Sequence, residues 1–454
     1  MRLLRAAALA AGLVAGGTAA ALPNDAAVRA ILAERIAQKQ GVGFAVVLVE
    51  GGRARVVTAG SAQRGGPDID ADTLFEIGSI TKTFTALLLA QRVTAGDLAL
   101  DTPVAKLLPE GAAGLARDGR AVTLGQLATH TSGLPRLPGN VAPADRADPY
   151  ADYDAARLVA ALAGTPLTRD PPAPYEYSNF GMGLLGYALT YRDGGYDRVL
   201  RERVLVPLGM HDTGAVPAPS RAARRAAGHG RDLAPVPAWH YAALAGAGAL
   251  RSSARDMAKY LQAAMEPGAG PLGAAFLLAE TPLAQGPSPQ TRVGLAWHVT
   301  ARHGRTFTWH NGSTFGFVGM VAFDAVRREG VVVLANAAIS VDDVALHLLD
   351  PAHPLATPSA ERRAVKLESA ALGRLPGRYE LAPGFILVVT RDGDRLFAQA
   401  TGQGAAEIFA ASDLEFFYRA VDAQLVFERS GDGTIAGVVL HQGGRKVPGK
   451  RVGP

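Results

Sequence analysis

The spacing of apolar positions changes twice along the chain, from strand-like to helical and back. Residues 24–40 carry apolar side chains at helical spacing, and apolar runs at 43–50 and 54–60 follow, joined by Gly-Gly-Arg. Residues 100–250 show mostly helical spacing interrupted by proline and glycine, and strand patterns return near residue 290. This order predicts an α/β fold in which one antiparallel sheet is built from both ends of the segment, flanked by helices, with an inserted helical lobe.

A different pattern follows residue 350. Pro351, Pro354 and Pro358 mark residues 351–370 as a linker. Residues 371–454 then consist of short strand-like runs separated by turn sequences such as Arg-Asp-Gly-Asp and Ser-Gly-Asp-Gly. We therefore predict a small C-terminal all-β accessory domain, a curled meander without a cluster of catalytic residue types.

The first 21 residues have the pattern of a secretory signal. Arg2 and Arg5 precede a short apolar run, and the small residues Ala19–Ala21 offer a cleavage site. Because the run is short and broken by glycine, a removable signal is favoured over an uncleaved membrane anchor. We expect export to the bacterial periplasm and no stable membrane insertion after cleavage. The main domain is then expected to consist of residues 22–350.

Composition and charge exclude several classes of protein. The chain has 454 residues, 48% of them hydrophobic and 19% charged, which predicts two or three globular domains and excludes disordered and fibrous classes. It has no cysteine, so disulfides and a lipoprotein anchor on cysteine are excluded. The net charge is +5, and the densest basic stretch, residues 220–232, has no interleaved aromatics. It is typical of a solvated loop, and no nucleic-acid partner is expected.

A candidate nucleophile stands at the start of the most hydrophobic helix, which is predicted over 79–95. Ser79 and Lys82 are three residues apart, so they share one face of this helix. A serine hydroxyl needs a neighbouring base, and burial lowers the pKa of a lysine until a neutral amine becomes available. The alternative is that Ser79 only caps the helix and Lys82 reaches out to solvent.

Two later stretches carry further candidates. Tyr177 and Asn179 stand two residues apart at the start of a predicted helix, where a phenol and an amide could point into one site. His310 and Gly312 lie in an apparent strand, and a glycine there lets a substrate backbone lie close. Taken singly, the first stretch is explained by a capped helix with a packed tyrosine, and the second by a turn that ends a strand.

Together, Ser-x-x-Lys, Tyr-x-Asn and His-x-Gly in this order resemble the serine beta-lactamase and penicillin-recognising enzyme family. The stretches "LFEIGSITKTFTA", "VTLGQLATHTSGLP", "YSNFGMGLLGYAL" and "GVVVLANAA" look like the family as well, over about residues 25–350. The most similar branch is that of class C beta-lactamases, which also contains DD-peptidases and esterases. The Ser-Asp-Asn and Lys-Thr-Gly motifs of class A enzymes are missing, so that class is excluded.

The resemblance implies roles for the candidate residues. Ser79 would be the acylated nucleophile, Lys82 its proton acceptor or relay, and Tyr177 a partner base that also protonates the leaving group. Which of the last two is the principal base stays open. Asn179 would hold the substrate amide, and the N–H groups of Ser79 and Ser313 would form the oxyanion hole.

The substrate-binding strand would contain His310, Asn311, Gly312 and Ser313. Beta-lactamases of class C usually carry lysine at the position of His310. A histidine with an ordinary pKa near 6.5 is mostly neutral at pH 7, so it would hold a substrate carboxylate weakly. The resemblance therefore implies a DD-peptidase or esterase rather than an efficient beta-lactamase.

Other chemistries find little support in the sequence. No His-Glu-x-x-His motif or carboxylate cluster indicates a metal, and no cofactor is expected. No Gly-x-Ser-x-Gly motif indicates an α/β-hydrolase, and His130 is typical of a structural turn histidine. We predict a secreted serine hydrolase acting on D-alanyl peptides of the cell-wall type or on beta-lactams. The alternatives are an esterase with the same nucleophile and a non-catalytic binding or scaffold protein.

Overall fold

The computed structural model describes most of the chain. The described ranges are 21–109, 115–216, 219–268, 272–356, 364–382, 384–401, 405–418, 423–442 and 445–453. The expected signal segment thus lies, except for its last residue, outside the described residues, as does the middle of the expected linker.

The first part of the chain is a mixture of helices and strands. Its helices are α1 (Asp25–Ala37), α2 (Thr81–Thr94), α3 (Leu124–Ala128), α4 (Ala155–Gly164), α5 (Asn179–Thr190), α6 (Tyr196–Leu200), α7 (Ala254–Met265), α8 (Gly273–Glu280) and α9 (Asp342–Leu349). Its strands are β1 (Gly43–Glu50), β2 (Arg53–Gly60), β3 (Leu74–Glu76), β4 (Ala116–Arg117), β5 (Arg120–Ala121), β6 (Gly228–His229), β7 (Pro235–Val236), β8 (Arg251–Ser253), β9 (Ala284–Gln285), β10 (Thr291–Val293), β11 (His298–Arg302), β12 (Arg305–Ser313), β13 (Val318–Asp324) and β14 (Glu329–Ala335).

Strands from both ends of this part form one antiparallel sheet, as the pattern predicts. Among the described strands the order is β2-β1-β14-β13-β12-β11-β10-β9, and β1 lies directly beside β14. Strand β1 is apolar along nearly its whole length because both of its faces are buried. Phe44 packs on the side of α1 and α9, and its neighbour Ala45 packs on the side of α2 and α7. The predicted fold class is confirmed.

Two helices near the candidate residues begin or end at a turn. The helix expected over 79–95 begins as a 3₁₀ turn, Gly78–Ile80, before α2. Helix α3 ends at Ala128, because the chain then turns through His130, whose φ of 59° is left-handed. The Thr123 side chain caps the first turn of α3.

In the described residues of the C-terminal part, every element is a strand apart from one short helix. The helix is α10 (Ser369–Leu372), and the strands are β15 (Gly377–Ala382), β16 (Phe385–Asp392), β17 (Arg395–Ala400), β18 (Ala406–Ala410), β19 (Glu415–Tyr418), β20 (Ala423–Arg429), β21 (Ile435–Gln442) and β22 (Arg445–Gly453). Each strand pairs with its neighbour in sequence, and β22 pairs with β15, so the predicted meander is a closed barrel. Its buried apolar side chains, such as Tyr379 and Phe427, form a core of their own.

Candidate active site

Ser79 lies at the exposed end of an otherwise buried turn. The 3₁₀ turn Gly78–Ile80 connects β3 to α2, and the Ile77 N–H donates to the carbonyl of Leu250 beside it, at 3.0 Å. In return the Leu250 N–H donates to Thr81 Oγ1 at 3.1 Å. Ser79 is partly exposed whereas the residues on either side of it are buried. The turn therefore presents one hydroxyl to solvent on a rigid support.

Lys82 is fully buried directly behind this hydroxyl. Its Nζ lies 2.9 Å from Ser79 Oγ and donates to the carbonyl oxygen of Ala247 at 2.6 Å. It also lies over the ring of Tyr177, 4.9 Å from the ring centre. Burial, with a smaller contribution from the positive charge of Arg136, holds the pKa of Lys82 well below its usual value of 10.5. A neutral amine is therefore available beside the serine.

Tyr177 completes the group around the Ser79 hydroxyl. Burial raises the pKa of Tyr177 to about 12, although a hydrogen bond with Ser79 and the charge of Arg136 act in the opposite direction. The Arg136 guanidinium lies over the outer face of the ring, 5.3 Å from its centre. At neutral pH the phenol thus keeps its proton and stands next to the serine as a potential acid.

Asn179 begins α5, and its side chain lies beside the hydroxyl of Tyr150. Ser178 caps this helix by accepting the Gly181 N–H at 2.8 Å. Within the described residues, Asn179 Oδ1 is buried without a hydrogen-bond partner. An unpaired buried acceptor is costly unless something else uses it, so this oxygen is suited to receive an N–H from a ligand.

The end of β12 lies directly against the Ser79 turn because a glycine permits it. A Cβ on Gly312 would stand 2.0 Å from the Ile77 carbonyl oxygen and 3.0 Å from the Ser79 nitrogen. A Cβ on Gly78, whose φ is +49°, would stand 2.6 Å from the nitrogen of Ser313. The sequence prediction reserved the space beside Gly312 for a substrate, but the Ser79 turn occupies it. This contact brings the Ser79 and Ser313 backbones together.

His310 belongs to the site, whereas the side chain of Asn311 does not. Alternation along β12 turns Asn311 to the other face of the sheet, where its Nδ2 donates to Asp342 Oδ2 at 2.7 Å. His310 is fully buried, and its Nδ1 lies 2.5 Å from the Asn311 carbonyl oxygen. Only the backbone of Asn311, and not its side chain, therefore faces the predicted substrate site.

The environment of His310 changes its expected charge. Burial, together with the neighbouring His298 and Lys82, lowers the pKa of His310 well below 6.5. With the ordinary value, part of the imidazole would be charged at pH 6. The lowered pKa in the folded protein favours the neutral imidazole instead.

An aromatic surface that was not predicted from the sequence lies on the Asn179 side of the site. Trp239 contacts Phe315, with ring centres 4.5 Å apart, and Tyr150 stacks on Tyr241 at 4.9 Å. Phe315 is 47% exposed, and Trp239 is partly exposed. These four residues, the aromatic wall, come from three segments that are far apart in sequence, since only Trp239 and Tyr241 are neighbours. No local sequence pattern therefore predicts the wall.

A buried ion pair holds the aromatic wall beside the Ser79 turn. Glu76 Oε1 lies 3.0 Å from the guanidinium of Arg251 and accepts the backbone N–H of Trp239 at 2.9 Å. Arg251 also donates to the carbonyl oxygen of Trp239 at 2.6 Å. Because burial raises the pKa of the Glu76 carboxyl against the effect of Arg251, both partners are needed to keep this pair satisfied.

The described residues contain neither a cluster that could bind a metal nor a helix that could span a membrane. In the described ranges of the chain, no three or more acidic or histidine side chains are grouped so that they could hold a metal ion. No described helix has both the length and the apolar character needed to cross a membrane.

Comparisons with known proteins place this geometry in a family. The Beta-lactamase family model matches residues 28–350, and a model described only as a domain of unknown function, DUF3471, matches residues 361–451. The first match covers the whole candidate site, and the second covers the barrel.

Three curated relatives have different printed names. Penicillin-binding protein 4 of Amycolatopsis lactamdurans is 31% identical over 245 residues, 52% of this chain and 63% of that protein. The D-alanyl-D-alanine-carboxypeptidase/endopeptidase AmpH of Escherichia coli K12 is 30% identical over 230 residues, 48% of this chain and 56% of that protein. Esterase EstB of Burkholderia gladioli is 35% identical over 202 residues, 42% of this chain and 51% of that protein. The chain thus spans about half to two thirds of the length of these relatives.

A solved structure supports the same placement. The class C beta-lactamase of Rhodobacter sphaeroides is 27% identical and superposes with a TM-score of 0.61, covering 72% of this chain and 99% of that one. With the family match over residues 28–350, this shows that the chain belongs to the Beta-lactamase family, a family of beta-lactamase-fold serine hydrolases.

Proposed function

We propose that this protein is a serine hydrolase that forms an acyl-enzyme on Ser79 and acts on D-alanyl peptides of the cell-wall type and on beta-lactams. The observation that carries the proposal is the buried Lys82 amine, 2.9 Å from Ser79 Oγ and with a pKa far below its usual value. Burying a lysine costs folding stability, and a scaffold that only binds would gain nothing from it. The pair therefore favours catalysis over the scaffold alternative.

In the proposed acylation, Ser79 Oγ attacks the substrate carbonyl while its proton passes to the neutral Lys82 amine. The Ser79 and Ser313 N–H groups donate hydrogen bonds to the developing oxyanion. Tyr177 gives its proton to the departing nitrogen or oxygen as the carbonyl re-forms. Lys82 serves as the base rather than Tyr177, because burial lowers the pKa of the lysine and raises that of the phenol to about 12.

The second half of the cycle restores the same proton positions. Acylation leaves an ammonium on Lys82 and a phenolate on Tyr177. Water attacks the ester carbonyl and gives a proton to the phenolate, and the Lys82 ammonium returns its proton to the Ser79 oxygen as that bond breaks. No group outside the site is needed to balance the protons.

The substrate class rests on the relatives and on Asn179. Two relatives are named as a penicillin-binding protein and a D-alanyl-D-alanine carboxypeptidase/endopeptidase. Peptides and beta-lactams with an acylamino group have an amide N–H that could donate to the unpaired Asn179 Oδ1. The neutral His310 offers no fixed charge to a substrate carboxylate, so we expect beta-lactam turnover to be slow.

An esterase activity is the second candidate, and the aromatic wall favours it. The exposed faces of Trp239 and Phe315 offer an apolar surface to an acyl chain and no charged partner to a peptide. One relative is named as an esterase. Small acyl esters would use the same serine and the same oxyanion donors.

A panel of three substrates separates these proposals. Turnover of a D-Ala-D-Ala peptide, a chromogenic cephalosporin and a p-nitrophenyl ester is measured for the wild type and for Ser79→Ala. Release of D-alanine from the peptide that is abolished in Ser79→Ala supports the peptidase. Turnover of the ester alone supports the esterase, and no turnover of any substrate contradicts a hydrolase.

We also propose export to the periplasm, which rests on the signal-like pattern of residues 1–21. N-terminal sequencing of the protein from a periplasmic extract tests it. A mature chain that begins near residue 22 is expected, and an intact Met1 in the cytoplasmic fraction would contradict it.

A further inference from the structure

Two histidines bind the short segment that carries Tyr177. The first is His130, fully buried, whose Nδ1 accepts the Ser178 N–H at 3.2 Å. Its ring lies on the ring of Tyr177, with centres 4.5 Å apart. The backbone carbonyl of His130 also accepts the Glu176 N–H at 2.9 Å. The left-handed φ of His130 is what turns both groups toward this segment.

The second is His298, at the start of β11. Its Nε2 lies 3.0 Å from the hydroxyl of Tyr175, two residues before Tyr177. Its ring stacks on Trp309, with centres 4.6 Å apart, and is itself almost completely buried. This bond joins the Tyr177 segment to the sheet, next to the strand end that approaches Ser79.

Both histidines do this at a cost that packing alone does not explain. Within the described residues, His130 Nε2 and His298 Nδ1 are buried without hydrogen-bond partners. An apolar residue of similar shape would fill the same space without an unpaired nitrogen. An apolar residue could not supply the one ring nitrogen that forms a hydrogen bond, which is Nδ1 in His130 and Nε2 in His298.

We infer that His130 and His298 are positioning residues that act through Tyr177, each by one particular ring nitrogen. They bind the Tyr175–Ser178 segment at two points, the Ser178 N–H and the Tyr175 hydroxyl, so that the phenol of Tyr177 stays at the Ser79 hydroxyl. This rests on the proposed function, because a position of Tyr177 matters only if Tyr177 transfers a proton. It assigns to His130 more than the structural turn that its sequence context suggests.

Exchanging each histidine for the two side-chain amides tests the assignment. An asparagine places its Oδ1 near the position of Nδ1, and a glutamine places its Oε1 near that of Nε2. We expect His130→Asn and His298→Gln to keep kcat for p-nitrophenyl acetate within about tenfold of the wild type. The mismatched amides, His130→Gln and His298→Asn, should lose about a hundredfold in kcat with little change in KM, because a small misplacement of a catalytic group has effects of that size.

A fifth variant keeps the test informative if a histidine variant fails to fold. Tyr175→Phe removes only the hydroxyl that His298 binds, so its loss in kcat should equal that of His298→Asn. The double variant that combines Tyr175→Phe with His298→Asn should lose no more kcat than either single variant. Melting temperatures are recorded for all variants. Equal effects of the two amides at both positions, a kcat that follows melting temperature, or an unchanged kcat in Tyr175→Phe would overturn the inference. A wild type that forms no acyl-enzyme would instead contradict the proposed function.

Discussion

At the scale of single residues, the site depends on how burial shifts the pKa values of two basic side chains and a phenol. Lys82 and His310 are both neutralised by burial, and Tyr177 keeps its proton. The spacing of Ser79 and Lys82 was sufficient to predict the first effect. The pKa of His310 could not be predicted from the sequence, since it depends mainly on complete burial of the ring and, to a smaller extent, on His298 and Lys82 beside it.

Replacing Lys82 with methionine should make the stability of the protein less dependent on pH. The unfolded wild type binds a proton on Lys82 up to about pH 10.4, whereas the folded form binds it only below its lowered pKa. Between these two values the wild type should lose stability relative to Lys82→Met as pH falls, by up to about 1.4 kcal/mol per pH unit. Denaturant unfolding of both proteins at pH 7, 8 and 9 measures this slope. A difference that is the same at all three pH values would show that Lys82 is charged in the folded protein.

The neutrality of His310 predicts a flat pH response. For the wild type, the ratio of kcat/KM for a cephalosporin to kcat/KM for a neutral ester should stay constant between pH 6 and 8, because taking the ratio cancels the titration of Lys82. An ordinary histidine pKa would instead make this ratio rise toward pH 6. The ratio is measured on one enzyme preparation, and a rise of several-fold at pH 6 would mean that His310 becomes charged.

His310→Lys should improve the enzyme toward substrates that carry a carboxylate. A charge-assisted hydrogen bond contributes roughly 1.5–3 kcal/mol, so kcat/KM for the cephalosporin should rise about tenfold to a hundredfold. The neutral ester is the matched control and should change little. Equal changes for both substrates would remove any carboxylate contact at position 310 and leave His310 a packing role.

At the scale of elements, two glycines decide how closely β12 approaches the Ser79 turn. Alternation along β12 puts His310 and Gly312 on one face and Asn311 on the other, so the prediction that grouped Asn311 with the substrate-binding residues was wrong for its side chain. The close contact between Gly312 and Ile77 joins positions 235 residues apart in sequence, and no local pattern indicates such a contact. The aromatic wall escaped the sequence argument for the same reason.

Gly312→Ala should damage both the site and the fold. Its Cβ would meet the Ile77 carbonyl oxygen at 2.0 Å, and backbone cannot move aside as a flexible side chain can. We expect a loss of about 1–3 kcal/mol in stability and a large loss of kcat as the Ser79 and Ser313 N–H groups separate. Gly164→Ala is the control, because a Cβ there meets nothing within 4 Å. Wild-type kcat in Gly312→Ala would contradict the oxyanion arrangement.

At the scale of the whole molecule, the two parts of the chain have separate cores. The core of the barrel consists of residues from Leu372 to Val438, and the two clusters around the main sheet are formed by buried residues up to Leu349, within the described ranges. The strand-like runs with their turn sequences and the prolines of the linker were enough to predict a second β-rich unit. Closure of the barrel could not be predicted, because it depends on β22 pairing with β15, the most distant pair of strands in this part.

Separate cores predict that the parts can be separated. A chain ending at Ser359 should fold and keep measurable turnover, and residues 364–454 alone should show a cooperative thermal transition with a β-type circular dichroism spectrum. Expression of the two pieces beside the full chain tests both expectations. A truncated chain that is insoluble or fully inactive would show that the barrel completes the core or the site.

The most direct test of the central claim is to find which residue becomes acylated. The protein is incubated with a penicillin, and its intact mass and peptide map are recorded for the wild type, Ser79→Ala and Lys82→Met. The account predicts one adduct of the mass of the penicillin on Ser79 in the wild type, none in Ser79→Ala, and a strongly slowed adduct in Lys82→Met. An adduct on another residue, or one that forms equally fast without Lys82, would contradict it.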